Sequence, residues 1–211
     1  MGRQALLKHT ARWLELLSRR GRRADGLVQP AAAWEAQYAV GRWDCLAQLP
    51  ELARFSVLAG YIHHLKPGAA VLDAGCGQGV LLSRLPGACY SRYVGIDVSG
   101  SAIAVAQKQQ NERSTFLVAD CESYSPVGHF DVIVFNEVLC CLLDPLRTVE
   151  RYVRSLNADG LLLVSLCTAA RGSAGILRRL ERAYAAVDEV RVVHSGRKIS
   201  WVCAALSVGS R

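Results

Sequence analysis

An acidic residue followed by alternating glycines, within residues 70–85, constrains the fold of this chain more than any other stretch. The segment reads AVLDAGCGQGVLLSRL, and its Asp73 directly follows an apolar pair that is typical of a buried strand end. The turn after this acid carries three glycines in alternation: Gly75, Gly77 and Gly79. Because glycine lacks a β-carbon, the backbone can turn sharply there and a ligand can lie directly against it. The stretch therefore predicts a small-molecule site at the carboxyl edge of a parallel sheet.

The residues after the glycine turn predict a helix that packs back on the strand, because apolar side chains recur there with helical spacing: Val80, Leu81, Leu82 and Leu85. The glycine spacing also distinguishes two kinds of nucleotide site. A nicotinamide or flavin fingerprint is G-x-G-x-x-G or G-x-G-x-x-A, whereas here the third glycine comes one residue early and Val80 occupies the last position. No GKS or GKT sequence suggests a phosphate-binding loop. A dinucleotide site is therefore disfavoured.

The composition favours a single domain. With 211 residues, of which 51% are hydrophobic, the chain can bury one sizeable core, and we expect a domain over residues 31–211 after an extension over residues 1–30. No apolar run approaches the roughly 18 residues that a membrane span needs. Eight cysteines are scattered without a CxxC pair, and no signal-peptide pattern is present. We therefore expect reduced thiols in a cytoplasmic protein, and no zinc site.

The formal net charge of +7 is concentrated at one end of the chain. Residues 1–24 carry seven lysine and arginine side chains against one glutamate, so the rest of the chain is close to neutral and shows no further basic patch. Residues 3–20 have helical apolar spacing, with basic side chains on the other face. This pattern fits an amphipathic helix docked on its own domain, which we favour, or a surface helix that contacts an anionic membrane or an acidic partner.

Residues 31–65 predict a second helical region, which is broken near Gly41 and Pro50 and continues as helix over residues 55–65. Aromatic side chains gather in its first half, just before the glycine turn: Trp34, Tyr38 and Trp43. They form either an ordinary packing face or a lid that closes over a ligand at the sheet edge. The position in the chain favours the lid.

Strand and helix patterns alternate after the glycine turn. The predicted strands cover residues 93–97, 115–120, 131–137, 160–166, 187–193 and 199–206. The predicted helices cover about 99–110, with Ser99 or Ser101 as the cap, 145–156, with Asp144 as the cap, and 175–186. The alternation predicts an α/β fold with a parallel sheet. The short polar connection at residues 194–198 makes the last two strands an antiparallel hairpin.

Three acidic residues end three successive predicted strands: Asp73, Asp97 and Asp120. In an open parallel sheet all three project from the same carboxyl edge, which is where ligands bind. Asp97 suits a ribose, because one carboxylate can accept hydrogen bonds from both hydroxyls of a vicinal diol. A single acid at a strand end is usually a helix cap or a solvated turn residue. Three acids in register with a glycine turn instead predict a nucleoside site.

The ordered motifs resemble those of the class I S-adenosylmethionine-dependent methyltransferases, from about Trp34 to Leu206. The segments that carry the resemblance are VLDAGCGQG, YVGIDVS, FLVADCES, FDVIVFNEVLCCLLDP and LNADGLLLVSL, with the terminal hairpin. More narrowly, the chain is similar to small bacterial enzymes of the type 11 or type 12 methyltransferases. The resemblance implies a Rossmann-like seven-stranded sheet in the order 3-2-1-4-5-7-6, with strand seven antiparallel, helices on both faces and an N-terminal helical lid.

The resemblance also implies a residue for each part of S-adenosylmethionine. The methionine end would lie on the glycine-turn backbone: Gly75, Cys76 and Gly77. Asp73 would assist its ammonium group through water, Asn136 would offer that group a carbonyl, and Arg42 would reach its carboxylate. On the adenosine side the implied residues are Asp97 for the ribose hydroxyls with Val98 beside it, Asp120 for the adenine amino group, Cys121 for the ring edge, and Tyr38 over the cofactor.

Glu137, just past the fourth predicted strand, is the candidate for contacting the methyl acceptor, although it equally suits a helix cap or an arginine partner. No motif identifies a general base or a metal site. We expect methyl transfer to an O or N nucleophile of a small molecule, by a monomer or homodimer. The alternatives are methylation of RNA or protein with the help of the basic N-terminal helix, and a non-catalytic cofactor-binding protein. Nucleic acid is not the expected partner, because no NPPY or DPPY sequence follows the fourth strand.

Overall fold

A seven-stranded sheet with the strand order β3-β2-β1-β4-β5-β7-β6 organises the protein, in a computed structural model that describes residues 28–209. The strands are β1 (Ala69–Ala74), β2 (Tyr90–Asp97), β3 (Ser114–Val118), β4 (Phe130–Asn136), β5 (Leu156–Cys167), β6 (Ala185–His194) and β7 (Ile199–Ser207). This order confirms the expected Rossmann-like sheet. The predicted helix at residues 3–20 lies outside the described residues.

Within residues 28–209, five α-helices flank the sheet. They are α1 (Ala31–Ala39), α2 (Leu49–Leu65), α3 (Gly100–Ala106), α4 (Pro145–Val153) and α5 (Ser173–Ala183). Short 3₁₀ turns cover Asp44–Ala47, Leu82–Arg84, Gly87–Cys89, Gln107–Gln109, Leu139–Cys141 and Ser195–Arg197. The Ser99 hydroxyl caps α3 by accepting from the Ala102 N–H, and the Asp144 carboxylate caps α4 by accepting from the Arg147 N–H. Both capping predictions are therefore confirmed.

The strand directions place the carboxyl ends of several strands at one edge of the sheet. β1 pairs in parallel with β2 on one side and β4 on the other, so Asp73 lies between Gly95 and Val134. β5 pairs in parallel with β4, whereas β7 is antiparallel to both β5 and β6. The predicted terminal hairpin is confirmed. Because β1, β2, β4 and β5 are parallel, the segments that leave their carboxyl ends meet at the same edge.

The core has one layer on each face of the sheet. On one face, α2 and α3 pack on the sheet through buried side chains that include Leu58, Ile62 and Ile103. On the other face, α4 and α5 pack through Tyr152 and Leu180, among others. The central strands are buried on both sides, which explains their nearly continuous apolar sequences. The layers hold the strand ends rigidly and leave the carboxyl edge for binding.

The predicted helix over residues 80–85 is wrong. A turn follows the glycines, and only the 3₁₀ segment Leu82–Arg84 comes before Pro86. Gly79 has φ +75°, outside the helical region, and proline cannot donate the N–H that would continue a helix. The few residues between them are too short for a stable α-helix. The helical spacing was still informative, because the same leucines are buried in the core.

Other boundaries differ by a few residues. The helical region breaks near Gly41, with φ +67°, and again near Pro50, as predicted, because Gln48 is extended and α2 begins at Leu49 with this proline in its first turn, where its missing N–H costs nothing. β3 ends at Val118, two residues before Asp120, so that acid belongs to the following turn. The structure begins β5 at Leu156 and ends α4 at Val153, since Ser155 closes a turn with Tyr152.

Candidate functional site

A cavity of about 370 Å³ opens at the carboxyl edge of the sheet, below α1. Ten of the predicted cofactor residues line it: Tyr38, Asp73, Gly75, Cys76, Gly77, Asp97, Val98, Asp120, Cys121 and Asn136. Glu137, the candidate acceptor contact, lines it too. Arg42 does not line this cavity, so its contact with the cofactor stays a prediction without geometric support. The sheet edge thus gathers into one space residues that are up to 99 positions apart in the sequence.

The glycine turn presents bare backbone to this cavity. Gly75 and Gly77 have φ +74° and +54°, in the left-handed region. A β-carbon on Gly75 would overlap a methyl group of Val138, and one on Gly77 would lie 2.7 Å from the Tyr38 hydroxyl oxygen. The N–H groups of Gly75 and Cys76 both donate to the carbonyl of Ile96, at 2.8 and 2.9 Å. Both the conformation and the close neighbours therefore require glycine.

Asp97 holds the glycine turn from the neighbouring strand. Its carboxylate accepts the N–H of Gly77 at 2.9 Å and that of Ser99 at 2.9 Å, one on each oxygen. Burial raises the pKa of Asp97, and the hydrogen bonds from Ser99 and Gly77 oppose the rise. Each oxygen keeps a second lone pair. The carboxylate is thus oriented by the backbone and retains the acceptors that two ribose hydroxyls need.

Asp73 is the most buried acid of the site, with an exposed fraction of 1%. The Tyr93 hydroxyl donates to its Oδ2 at 2.5 Å, while Oδ1 has no partner among the described residues. Burial raises the pKa of Asp73 to about 7, although the Tyr93 hydrogen bond acts in the opposite direction. A buried carboxylate oxygen without a donor costs free energy. An ammonium group, directly or through water, is a ligand that this oxygen suits.

Asp120 and Cys121 lie in the turn after β3. The Oδ1 of Asp120 accepts the N–H of Glu122 at 2.8 Å, and its carbonyl accepts the N–H groups of Ser123 and Tyr124. Asp120 therefore shapes this turn. The side chain is exposed at the cavity, and the turn leaves its second carboxylate oxygen available for the predicted adenine contact.

Helix α1 is fastened to the start of α3 by Glu35, a residue that no sequence pattern had singled out. The Glu35 carboxylate accepts hydrogen bonds from the Ser99 hydroxyl at 2.7 Å, the Ser101 N–H at 3.1 Å and the Ser101 hydroxyl. These hydrogen bonds lower the pKa of Glu35. The anchor brings three aromatic rings to the cavity wall: Trp34, Tyr38 and Trp43. Their ring centroids lie 5.7 Å apart for Trp34 and Trp43, and 6.2 Å apart for Tyr38 and Trp43.

Glu137 occupies the other end of the cavity, beyond β4. It has φ +64°, a left-handed conformation that is uncommon for any residue but glycine and that clusters at functional sites. Its Oε1 accepts from the Ser165 hydroxyl at 3.3 Å, and its N–H donates to the Ser165 carbonyl at 3.1 Å. Burial raises the pKa of Glu137 to about 7, and the positive charge of Arg54 opposes the rise. The carboxyl group can therefore exchange a proton near neutral pH.

A buried polar network around Arg54 supports this end of the cavity. Arg54 is 2% exposed, lines the cavity, and donates to Glu51 Oε2 at 3.0 Å and to the side-chain oxygen of Asn136. The Ser165 hydroxyl donates to the same oxygen at 2.8 Å, and Arg197 donates to Glu51 at 3.4 Å. Sequence reasoning missed Arg54. The i, i+3 spacing of Glu51 and Arg54 on a predicted helix was the available signal, but it does not reveal that the pair is buried.

Cys140 and Cys141 lie in the 3₁₀ turn Leu139–Cys141 and also line the cavity. Their sulfur atoms are 3.9 Å apart, and both thiols donate to the Glu137 carbonyl at 3.7 Å. All eight cysteines of the chain are unpaired. Within residues 28–209 no group of three or more histidine, cysteine or acidic side chains could hold a metal ion. In the same range, no helix is long and apolar enough to cross a membrane.

Comparison with known proteins assigns the family. The family model of the methyltransferase domain matches residues 46–206. Among curated proteins, the ribosomal protein L11 methyltransferase of Burkholderia ambifaria is 33% identical over 98 residues, which are 46% of this chain and 31% of the relative. The chain thus matches only about a third of the length of that relative.

Two solved structures illustrate the similarity of fold. The N-methyltransferase NodS from Bradyrhizobium japonicum WM9, in complex with S-adenosyl-L-homocysteine, has a TM-score of 0.71 at 22% identity and covers 84% of this chain and 97% of its own. Magnesium protoporphyrin IX methyltransferase from Synechocystis PCC 6803, with bound S-adenosylmethionine, has a TM-score of 0.69 at 16% identity and covers 85% of this chain and 97% of its own. With the match of the family model to most of the chain, these findings show that the protein belongs to the class I S-adenosylmethionine-dependent methyltransferases.

Proposed function

We propose that this protein transfers a methyl group from S-adenosylmethionine to an O or N nucleophile of a small molecule, by in-line displacement with mainly positional catalysis. The observation that carries the proposal is one continuous cavity. Its first end holds the glycine turn and the acids of β1 and β2, and its second end holds Glu137 and the Arg54 network. A cofactor at the first end would direct its methyl group toward a nucleophile at the second.

The residues at the first end support an assignment for each part of the cofactor. We assign the ribose hydroxyls to the Asp97 carboxylate, the adenine amino group to Asp120, and the methionine part to the backbone of Gly75 and Gly77. The unpartnered Oδ1 of Asp73 supports an ammonium group nearby. Bound S-adenosylmethionine supplies a methyl group that its sulfonium has already activated. The protein therefore needs to orient the reactants, not to supply a strong electrophile.

Hydrogen bonds around the cavity hold the elements that would orient the cofactor and the acceptor. The glycine turn is fastened to β2 by Asp97, and α1 is fastened to α3 by Glu35. Aromatic rings on α1 line the cavity, where they would shield a bound cofactor from water. Holding two reactants in a near-attack geometry can lower a barrier by about 7–11 kcal/mol, which is enough for positional catalysis to dominate.

We assign to Glu137 the contact with the acceptor. A hydroxyl acceptor must lose its proton during transfer, and the Glu137 carboxylate is the group at the second end that can take it. A base of this kind contributes typically ~10²- to 10⁴-fold to the rate. An amine acceptor can enter deprotonated, in which case Glu137 would only orient it. The Ser165 hydroxyl, which donates to Glu137 Oε1, positions the carboxyl group in either case.

A small-molecule acceptor is supported by two solved relatives, whose names describe an N-methyltransferase and a porphyrin methyltransferase. The similarity to a methyltransferase for ribosomal protein L11 favours a protein acceptor instead, but it extends over 31% of that relative. The enclosed position of Glu137 also favours a compact acceptor.

The discriminating experiment measures release of S-adenosylhomocysteine with a panel of acceptors. The panel contains small alcohols, phenols and amines, and, as separate arms, ribosomal protein L11 and a short RNA. We expect turnover with a small molecule that is abolished in Glu137→Gln for hydroxyl acceptors only. Turnover restricted to the protein or the RNA would contradict the proposal. An absence of turnover in every arm, despite tight cofactor binding, would favour a non-catalytic cofactor-binding protein.

A further inference from the structure

A second cavity, of about 580 Å³, lies beside the first, between the start of α4 and α5. Its apolar lining consists of Leu143, Pro145 and Leu146 at the start of α4 and Ile176 on α5. Three arginines of α5 also line it: Arg178, Arg179 and Arg182. We call this cavity the arginine cleft. It corrects the expectation that the chain after residue 24 has no basic patch, because a net charge near zero conceals a local cluster.

The three guanidinium groups are available to a ligand. Their spacing along α5 places them on one side of the helix, and all three side chains are exposed. None of them forms an ion pair with another residue of the described range 28–209. The acid of the cleft wall, Asp144, is already engaged as the cap of α4 at 3.2 Å from the Arg147 nitrogen. The cleft therefore presents a surplus of positive charge.

The arginine cleft adjoins the second end of the first cavity. Leu143 belongs to the walls of both, and its exposed fraction of 79% leaves it open to a ligand. The turn after β5 connects them as well, because Ala170 lines the first cavity and Gly172 the second. A ligand whose nucleophile lies near Glu137 can thus extend past Leu143 to the arginines.

We propose that the arginine cleft binds a phosphate or carboxylate group of the methyl acceptor, whose apolar part lies on Leu143. This inference rests on the proposed function and names the class of acceptor, an amphiphilic anion. Guanidinium groups bind both anions through paired N–H donors. The basic segment of residues 1–24 is a poor occupant, because its net positive charge would face three arginines.

The test is calorimetric titration of the full-length protein with n-octyl phosphate, and with n-octyl glucoside as a neutral probe of equal chain length. We expect saturable binding of octyl phosphate and at least roughly tenfold weaker binding in the variant Arg178→Gln/Arg179→Gln/Arg182→Gln, since three exposed charge pairs together account for that factor. Arg154→Gln, which removes an exposed arginine outside the cleft, is the control and should bind as the wild type does. Equal affinity for both probes, or an unchanged triple variant, would overturn the proposal.

Saturating S-adenosylhomocysteine separates this proposal from the proposed function. Octyl phosphate should still bind in its presence, and loss of binding would place the probe in the cofactor end and overturn the assignment. If S-adenosylhomocysteine itself does not bind, the proposed function fails, whereas the titrations without it still decide whether the cleft is an anion site.

Two further arms identify the source of the anion. Vesicles that contain phosphatidylglycerol and a short single-stranded RNA are each tested with the wild type and the triple variant. We expect neither to bind through the cleft. The proposal is overturned if the wild type binds the vesicles or the RNA more tightly than octyl phosphate and the triple variant does not bind them. The cleft would then be a site for a membrane surface or for nucleic acid.

Discussion

The carboxylate of Asp97 accepts the backbone N–H of Gly77 at 2.9 Å, so the acid at the end of β2 fixes the glycine turn that follows β1. Asp97→Ala should therefore weaken binding of S-adenosylhomocysteine by about 10²- to 10⁴-fold, because two hydrogen bonds to a charged group are removed. Calorimetric titration measures this loss. Asp159→Asn, which changes an acid with an 81% exposed side chain outside the cavity, is the control and should bind normally.

Loss of the turn geometry and loss of ribose contacts can be distinguished with truncated ligands. The wild type should bind adenosine more tightly than 2′,3′-dideoxyadenosine, and Asp97→Ala should bind both alike. If the variant still discriminates between them, the ribose hydroxyls are recognised elsewhere, and our assignment of Asp97 is wrong.

Glu35 should control how long the cofactor stays bound. Glu35→Ala removes the acceptor of three hydrogen bonds that fasten α1 to α3, so we expect faster dissociation of S-adenosylhomocysteine with a smaller change in the association rate. Stopped-flow quenching of Trp34 and Trp43, both at the cavity wall, follows dissociation. Glu112→Ala alters an exposed acid that does not line the cavity and should leave both rates unchanged. Equal dissociation rates for Glu35→Ala and wild type would refute a lid function of α1.

Gly75→Ala should lower the free energy of unfolding by about 1–3 kcal/mol, because the position requires φ +74° and the added β-carbon overlaps Val138. Urea denaturation measures the change. Gly60→Ala is the matched control: no atom lies within 4 Å of its added β-carbon, and alanine in a helix should stabilise the protein by about 0.5–1 kcal/mol. If both variants are equally stable, the glycine turn does not have the conformation described.

Glu137 should couple stability to pH. Its pKa is raised to about 7 in the folded protein, so the folded state binds more protons than the unfolded state between about pH 4.5 and 7. Stability from this group is therefore present at low pH and is lost as the pH rises through 7. Relative to Glu137→Gln, the wild type should lose up to about 3 kcal/mol of unfolding free energy over this window. Urea denaturation at a series of pH values measures the unfolding free energy of both proteins. If it depends on pH in the same way in the wild type and in Glu137→Gln, the pKa of Glu137 is not raised by burial.

The order of the strands and the place of the site follow from local sequence signals. The glycine turn, the three acids and the apolar strands each span a few residues, and the rule for parallel sheets brings their ends together. The wrong helix prediction at residues 80–85 has a local cause as well. The apolar residues are buried as their spacing indicates, but Gly79 and Pro86 leave too few residues between them for an α-helix. Apolar periodicity therefore predicts which side chains are buried more reliably than it predicts the secondary structure of the segment.

The contacts that the sequence did not reveal join distant positions. Arg54 and Asn136 are 82 positions apart, and Glu35 and Ser101 are 66 apart. A glutamate or arginine on a helix is normally solvated, so composition predicts exposure for each of them. Only the packing of α1 and α2 against the strand ends reveals that both charged side chains are hydrogen-bonded. The arginine cleft was not predicted for the same reason, because Leu143, Pro145 and Leu146 of its lining are distant in sequence from the arginines of α5.

Calorimetric titration of the full-length protein with S-adenosylmethionine tests the central claim most directly. We predict saturable binding of one molecule per chain, weakened in Asp97→Ala and unchanged in Asp159→Asn. An absence of binding at millimolar S-adenosylmethionine would contradict the account.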